Sequence, residues 1–452
     1  MSRFCDCCDL PGVTRWRLVR RIRLLLDYRL DTHGSGEIRE KGSMDDFLSA
    51  TEELLAGGVE PAGVAALFSG EPPDITELRE RVAERWGPFS RLRWMLPAEE
   101  SSLRRRRWTE LDRFDPRQQV VEGDDLELEA LLGSLVIQPL PRDIPPWRLH
   151  LVRRPSRDGF ALVLIAHHAV LDMESCKILF CHLLDGPAPR ARTRTGGAPE
   201  SESFRRTAMS TLRNVLVGGR SLPAAEPEPE LACASVDAGQ LRAVRSALPG
   251  EGVTPTEVLL ASTTGAVRRV FGRPYNWPGK SGELYAVVPK NRRTGQNAQE
   301  LGNILTGVRV PLPVAEDRPE ERLAACRGVL GRADSVDGAA RLLDAALTLG
   351  PWALRAATAL LTSANFASVQ CTTLRWTPGA WALGGAPLRR VVAMPDIPAP
   401  GAISVSLVGF ADALSLSVLS NTRPGDARSL ADAVEREITL LADLAAQVGP
   451  DR

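Results

Sequence analysis

Between Asp185 and Pro229 the chain carries two stretches, PAPRARTRTGGAPESES and AAEPEPE, in which Pro, Gly and charged residues crowd out the apolar positions a core needs. A hydrophobic core cannot be continued through such a segment, so the sequence divides there. Each side is of ordinary domain size, and 452 residues exceed what one core usually supports. The expected organisation is a first domain over 44–185, a linker over 186–230 holding one helical piece from Phe204 to Val217, and a second domain over 231–452.

Both portions mix the two hydrophobic periods. In the first, MDDFLSATEEL reads as a short helix, and DITELRERVAERW as an amphipathic one with Ile75, Leu78, Val82 and Trp86 on one face. WRLHLVRRPSRDGFALVLIAHHAV reads as two strands joined by a polar turn, and ESCKILFCHLLD as the helix that follows. In the second, LRAVRSAL and TPTEVLLASTTGAVRRVFG are helical, ELYAVVP, TGVRVPLP, ISVSLVGF and ALSLSVLSN are strand-like, and ARSLADAVEREITLLADLA is a closing helix. Such alternation predicts an α/β or α+β sandwich in each half. The apolar run from Leu342 to Leu361 suggests lipid contact, but Asp344, Arg355 and the Gly350-Pro351 break make a buried core helix the expectation.

Formal net charge is zero, which removes any global electrostatic case for nucleic acid or an anionic membrane. Eight cysteines without paired spacing do not make a disulfide framework in a chain this long. The opening residues have no unbroken apolar segment ahead of a small-residue cleavage site, and no window approaches the roughly 20 apolar residues of a membrane span. The expectation is a cytoplasmic protein with reduced thiols. Residues 1–43 read as a disordered or spurious extension, because Glu40-Lys41-Gly42-Ser43 would be encoded by a purine-rich run of the kind that precedes a start at Met44. The competing reading makes Arg15 to Leu30 a basic amphipathic helix for a membrane surface or partner. Cys5, Cys7 and Cys8 have no matching distal ligands.

Two of the five histidines are adjacent, His167 and His168, at the end of an apolar strand, and Asp172 follows in HHAVLDM. Strand ends that turn into a helix are where α/β proteins present catalytic groups. Three readings of the pair stand at this point. Metal ligation is opposed by geometry, since neighbouring strand residues face opposite ways and no HExxH, CxxC or acidic cluster supplies further ligands. Both rings could be core histidines with satisfied hydrogen bonds. In the third reading one ring anchors the structure, and the other faces a cavity as a general base, neutral near physiological pH. Asp172 then fixes the turn, most simply by pairing with a distant Arg.

His167-His168-x-x-x-Asp172 resembles the HHxxxDG motif of the thioester-dependent acyltransferases, a superfamily that includes chloramphenicol acetyltransferase and peptide-synthetase condensation domains. Within it the chain is most similar to the bacterial wax ester synthase/diacylglycerol acyltransferase family. Ile144-Pro145-Pro146-Trp147 resembles that family's Pro-Leu-Trp motif, and Ser175 and Leu179 fit the helix after the histidines. Val288-Pro289 through Arg293, then Leu301-Gly302-Asn303 and Val310-Pro311-Leu312-Pro313, resemble its VPVSLR…LGN…VPLP block.

The resemblance, which runs from about Met44 to the end, implies two chloramphenicol acetyltransferase-like domains with an active-site tunnel between them. His168 would be the catalytic base and His167 structural, while Arg293 or its neighbour Arg292 would pair with Asp172. Asn303 and Thr306 would support the reacting groups by hydrogen bonding, and Trp147 would be a packing anchor. No bound cofactor or metal is implied. The co-substrate would be acyl-CoA or a phosphopantetheinyl acyl-carrier protein, and the acceptor a small-molecule or lipid alcohol. Peripheral contact with a membrane or lipid droplet is part of the same expectation. Two alternatives accompany it: amide formation on carrier-bound substrates, and a catalytically silent binding module. The chain departs from the pattern at Met173, where the motif has Gly, and from Ser368 to Trp381, where QCTTLRWTPGAW replaces the usual SNVPGP.

Overall fold

In the computed structural model the described residues are 47–57, 61–97, 106–124, 126–153, 159–187, 217–225, 229–247, 252–273, 277, 282–295, 297–333, 346–347, 350–396 and 399–448. The N-terminal extension with its cysteines, the basic helix from Arg15, Asp344 and nearly all of the helical piece expected from Phe204 lie outside them. Asp46–Arg452 form one compact unit.

The first portion supplies β1 (Pro61–Ser69), the short pair β2 (Trp94–Met95) and β3 (Thr109–Glu110), β4 (Val120–Glu122), β5 (Trp147–Arg153) and β6 (Gly159–His167). Its helices are α1 (Ala50–Ala56), α2 (Ile75–Trp86), α3 (Leu128–Ile137) and α4 (Met173–Leu183). The second supplies β7 (Glu230–Asp237), β8 (Tyr285–Asn291), β9 (Leu305–Pro311), β10 (Val369–Arg375), β11 (Ala382–Leu383), β12 (Ala386–Met394), β13 (Ala402–Phe410) and β14 (Ala413–Asn421). With them come α5 (Ala238–Ala247), α6 (Pro255–Phe271), α7 (Pro319–Ala333), α8 (Pro351–Leu361) and α9 (Asp426–Val448).

Two six-stranded mixed sheets result, ordered β11-β12-β1-β6-β5-β4 and β7-β14-β13-β10-β8-β9. The second half of the chain therefore does not keep to its own sheet. β12 pairs antiparallel with β1, register Val64 to Ala393, and extends the first sheet past the strand that would otherwise be its edge.

β6 reads as an almost unbroken apolar run because it lies between β1 and β5 and both its faces are covered. Phe160, Leu162 and Leu164 pack with Leu78, Val82 and Trp86 of α2 and with Leu179 and Phe180 of α4. Ala161, Val163 and Ile165, on the opposite face, meet Leu131, Leu132 and Leu135 of α3 and Leu419 of the second sheet. α2 begins where the Asp74 carboxylate accepts the Thr76 N–H at 2.7 Å, and it is tied to α4 by the Trp86 Nε1–H donated to the Leu179 carbonyl at 2.8 Å.

In the second sheet, Val405, Leu407, Leu416 and Val418 pack against α6, α7 and α9. The intervening Ser404, Ser406, Ser415 and Ser417 look like a solvent face in sequence, yet they are 1%, 1%, 2% and 0% exposed. Their face is turned towards the first sheet, where Arg390 of β12 donates to the Ser415 hydroxyl at 3.0 Å and to the Ala234 carbonyl at 3.1 Å.

One expectation is corrected. α8 is not a buried core helix: Trp352 is 47% exposed and only a small cluster, including Leu354, Ala357 and Leu361, packs it on α1 through Ala50 and Leu54. The apolar run is long enough for a core helix, but this amphipathic segment has a single protein-facing side.

β5 also places a titratable group in the interior. Burial, reinforced by the nearby Arg148 cation, pushes the His150 pKa down from 6.5 to about 4. The folded state thus holds this imidazole neutral, whereas the unfolded chain protonates it below pH 6.5. Its contribution is complete above pH 6.5 and is lost as pH falls towards 4, by about 3 kcal/mol in total. Thermal unfolding of His150→Leu across this window should show a flatter acid limb than wild type; an unchanged slope would assign the acid sensitivity elsewhere.

Candidate active site

β6 ends at His167, so the two histidines leave the strand on opposite sides. His167 is 5% exposed; its backbone N–H donates to the Pro146 carbonyl at 2.9 Å and its Nδ1 accepts the Ala169 N–H at 3.2 Å. His168 is half-buried and lines a cavity of about 450 Å³.

Asn303 orients the His168 ring. Its side-chain nitrogen donates to the His168 and Ala169 carbonyls at 2.7 and 2.9 Å, which turns its oxygen to His168 Nδ1 at 3.2 Å. An amide oxygen only accepts, so Nδ1 carries a proton, and in the neutral ring the lone pair falls on Nε2. Nε2 has no hydrogen-bond partner among the described residues.

The turn below His168 is held by an ion pair across 121 positions of sequence. Asp172 caps α4, accepting the Ser175 N–H and hydroxyl through Oδ1, both at 2.7 Å. Arg293 meets the same carboxylate in bidentate fashion, Nη1 to Oδ2 at 2.8 Å and Nη2 to Oδ1 at 3.0 Å, with each side chain 3% exposed. Arg293 also donates to the Glu300 and Gly302 carbonyls at 2.9 and 3.0 Å. Gly302 has φ +126°, a conformation that favours glycine, and its N–H reaches the Ser175 hydroxyl at 3.0 Å. Asn303 follows directly, so the ion pair and Gly302 set where its amide sits. Of the two arginines considered from sequence, Arg293 is the one paired with Asp172.

Sequence reasoning missed Arg91. Buried on a short 3₁₀ turn, Ser90–Arg93, it donates to the Val170 and Ala169 carbonyls, both at 3.0 Å, and pairs with Glu52 of α1. Its guanidinium lies 4.4 Å from the Trp94 ring and 4.6 Å from the Trp108 ring. Nothing in local spacing marks this residue in an arginine-rich chain.

The other candidates separate cleanly. Trp147 is 1% exposed, donates Nε1–H to the Leu92 carbonyl at 2.9 Å and stacks with Phe114; it does not line the cavity. Thr306 lines the cavity, but its hydroxyl has no hydrogen-bond partner among the described residues, His168 and Asn303 included. Met173 occupies the first helical position of α4 and packs on the first core, away from the cavity-lining set. Helical backbone there needs no glycine, so the departure from the motif leaves the turn intact. Cys176 is fully buried, which pushes its thiol far above the ordinary range, with the Asp172 carboxylate adding to the effect. It is therefore no competing nucleophile. Among the described residues no group of three or more His, Cys, Asp or Glu is placed to hold a metal ion, and no helix is long and apolar enough to cross a membrane.

Both halves wall the cavity: Thr51, Leu54 and His168 from the first, and Val287, Leu305, Phe366, Gln370 and Ser404 among those from the second. The arrangement is an imidazole oriented by an amide at the edge of a chamber, braced from behind by a buried carboxylate–guanidinium pair.

Comparison with known proteins bears on this arrangement. The model of the wax ester synthase/diacylglycerol acyltransferase catalytic domain matches residues 60–270, and that of the C-terminal domain of the same proteins matches 301–442. A putative diacylglycerol O-acyltransferase of Mycobacterium tuberculosis is 25% identical over 243 residues, 45% of this chain and 50% of that protein. The chain thus spans about half the length of the curated relatives it matches. The wax ester synthase/diacylglycerol acyltransferase from Marinobacter aquaeolei VT8 superposes with a TM-score of 0.60 at 18% identity, over 88% of this chain and all of that one. The first condensation domain of the CDA synthetase gives 0.58 at 16% identity, over 89% of this chain and 97% of that one. At these identities the two structures speak for a shared fold.

Proposed function

The chain belongs to the wax ester synthase/diacylglycerol acyltransferase family, and we propose that it esterifies an alcohol with the acyl group of a thioester, with His168 as the general base. The observation that carries the reading is the Asn303 contact, which assigns the proton to Nδ1 and leaves Nε2 able to accept one beside the cavity.

In this mechanism Nε2 removes the proton from the acceptor hydroxyl as its oxygen attacks the thioester carbonyl. The tetrahedral intermediate collapses with cleavage of the C–S bond, and the departing sulfur takes the proton back from Nε2. Ester and free thiol are the products, and the imidazole returns to its starting state. The imidazolium formed in passing keeps its Nδ1–H on the Asn303 oxygen, so charge develops without ring reorientation. No covalent enzyme intermediate is needed, because one chamber holding both substrates makes the attack effectively intramolecular. The donor is acyl-CoA or an acyl-carrier protein, and the acceptor a lipid or small-molecule alcohol. The expected two-domain organisation, with the first domain bearing the histidines and the second bearing Asn303, belongs to the same proposal.

The test incubates purified protein with acyl-CoA or acyl-carrier-protein donors and a panel of alcohols. Equimolar release of thiol and ester is expected. Thiol release by hydrolysis alone would make the protein a thioesterase, and no turnover with any donor of either type would favour a binding module; either outcome removes the reading.

A further inference from the structure

The cavity reached by His168 has two kinds of wall. Leu54 of α1, Leu361 of α8 and Phe366 give it an apolar side. Elsewhere Gln370 of β10, Ser404 of β13 and Asp396, just beyond β12, supply polar groups. Gln370 and Ser404 are register partners on adjacent strands, and the Gln370 side-chain N–H donates to Asp396 Oδ1 at 3.0 Å. Asp396 Oδ2 has no hydrogen-bond partner among the described residues, and no described Lys or Arg pairs with this carboxylate. None of the residues lining the cavity is Lys or Arg.

A half-buried carboxylate facing a chamber with no counter-ion among the described residues makes that chamber attractive to a cation and unfavourable to an anion. An uncharged alkyl group placed against Asp396 would strip its water and return nothing. We propose that the acceptor is a cationic amino alcohol, held by its ammonium against Asp396 while its hydroxyl is presented to His168 Nε2. The inference rests on the acyl-transfer reading above and specifies its acceptor. Transfer then proceeds as described, the hydroxyl proton passing through Nε2 to the thiol and the ammonium remaining unchanged. Asp396 acts as a specificity-determining residue, with Gln370 fixing the carboxylate's orientation.

The experiment compares N,N-dimethylleucinol, whose tertiary amine is protonated at neutral pH and whose only acylatable group is the hydroxyl, with its carbon isostere bearing isopropyl in place of dimethylamino. Wild type is expected to prefer the amino alcohol in kcat/KM by about tenfold. In Asp396→Asn the preference should fall to about parity, chiefly through KM, and Asp396→Glu should restore part of it. Calorimetry without donor should show the amino alcohol binding about tenfold more weakly to Asp396→Asn. Equal use of both acceptors by wild type, or a preference that survives Asp396→Asn, overturns the inference and leaves acyl transfer standing. If no alcohol of the wider panel yields ester with either donor type but the amino alcohol still binds in an Asp396-dependent way, acyl transfer fails and cation recognition stands.

Discussion

Replacement of His168 by alanine is expected to lower kcat/KM for acyl transfer by about 10²–10⁴-fold, the range supplied by a positioned general base. Folding should be little affected. The ring is half-buried and gives up one neutral hydrogen bond, to Asn303, worth about 1 kcal/mol. Asn303→Ala separates orientation from proton transfer: the base remains, its tautomer is no longer imposed, and the loss should be smaller and mainly in kcat. His167→Ala supplies the contrast, because that ring is buried and its Nδ1 caps the Ala169 N–H, so the cost should fall on stability. The comparison requires wild-type turnover, followed by thiol release, with urea unfolding as the check on folding. Near-wild-type kcat in His168→Ala would assign the base elsewhere.

Asp172→Ala should produce the largest loss of stability, about 3–5 kcal/mol, because it leaves the Arg293 guanidinium buried without its counter-charge. Arg293 and Asp172 side chains are each 3% exposed, so water cannot replace the lost partner without opening the turn. The Ser175 N–H and the Ile304 N–H lose an acceptor in the same change. Ile304 and Gly302 flank Asn303, so activity should fall as well although Asp172 does not line the cavity. Removing both charges in Asp172→Asn/Arg293→Met should recover part of the stability, and a double-mutant cycle would read the coupling directly. A cost for Asp172→Ala below about 1 kcal/mol would mean that the pair is hydrated in solution and does not brace the turn.

Much of this was legible before any coordinates. β6 announced itself as an apolar strand after a polar turn, and a position covered on both faces is what tolerates so continuous an apolar run. The amphipathic α2, with Ile75, Leu78, Val82 and Trp86 on one face, was equally plain. The HHxxxD spacing is local as well: His168 at a strand end and Asp172 at a helix N-terminus are four residues apart, so one strand–turn–helix places both. What periodicity misjudged was burial. The alternating serines of β13 and β14 resemble a wet face, and the apolar stretch around α8 resembles a core helix. Exposure is decided by what packs above an element, and its own pattern does not contain that information.

The sequence by itself determined the local pieces: which segments are strands and helices, that a histidine pair ends an apolar strand, and that an aspartate follows in the turn before a helix. These follow from backbone periodicity, capping and chain connectivity over a few residues. Tertiary structure alone decided which nitrogen of His168 carries its proton, because the deciding amide belongs to Asn303, 135 positions away. It alone brought Arg91 beneath the turn, selected Arg293 over Arg292, carried β12 back into the first sheet and set Asp396 in the same cavity wall as His168. Each of these is a contact between distant segments, and its energy depends on burial that exists only once both sheets have come together.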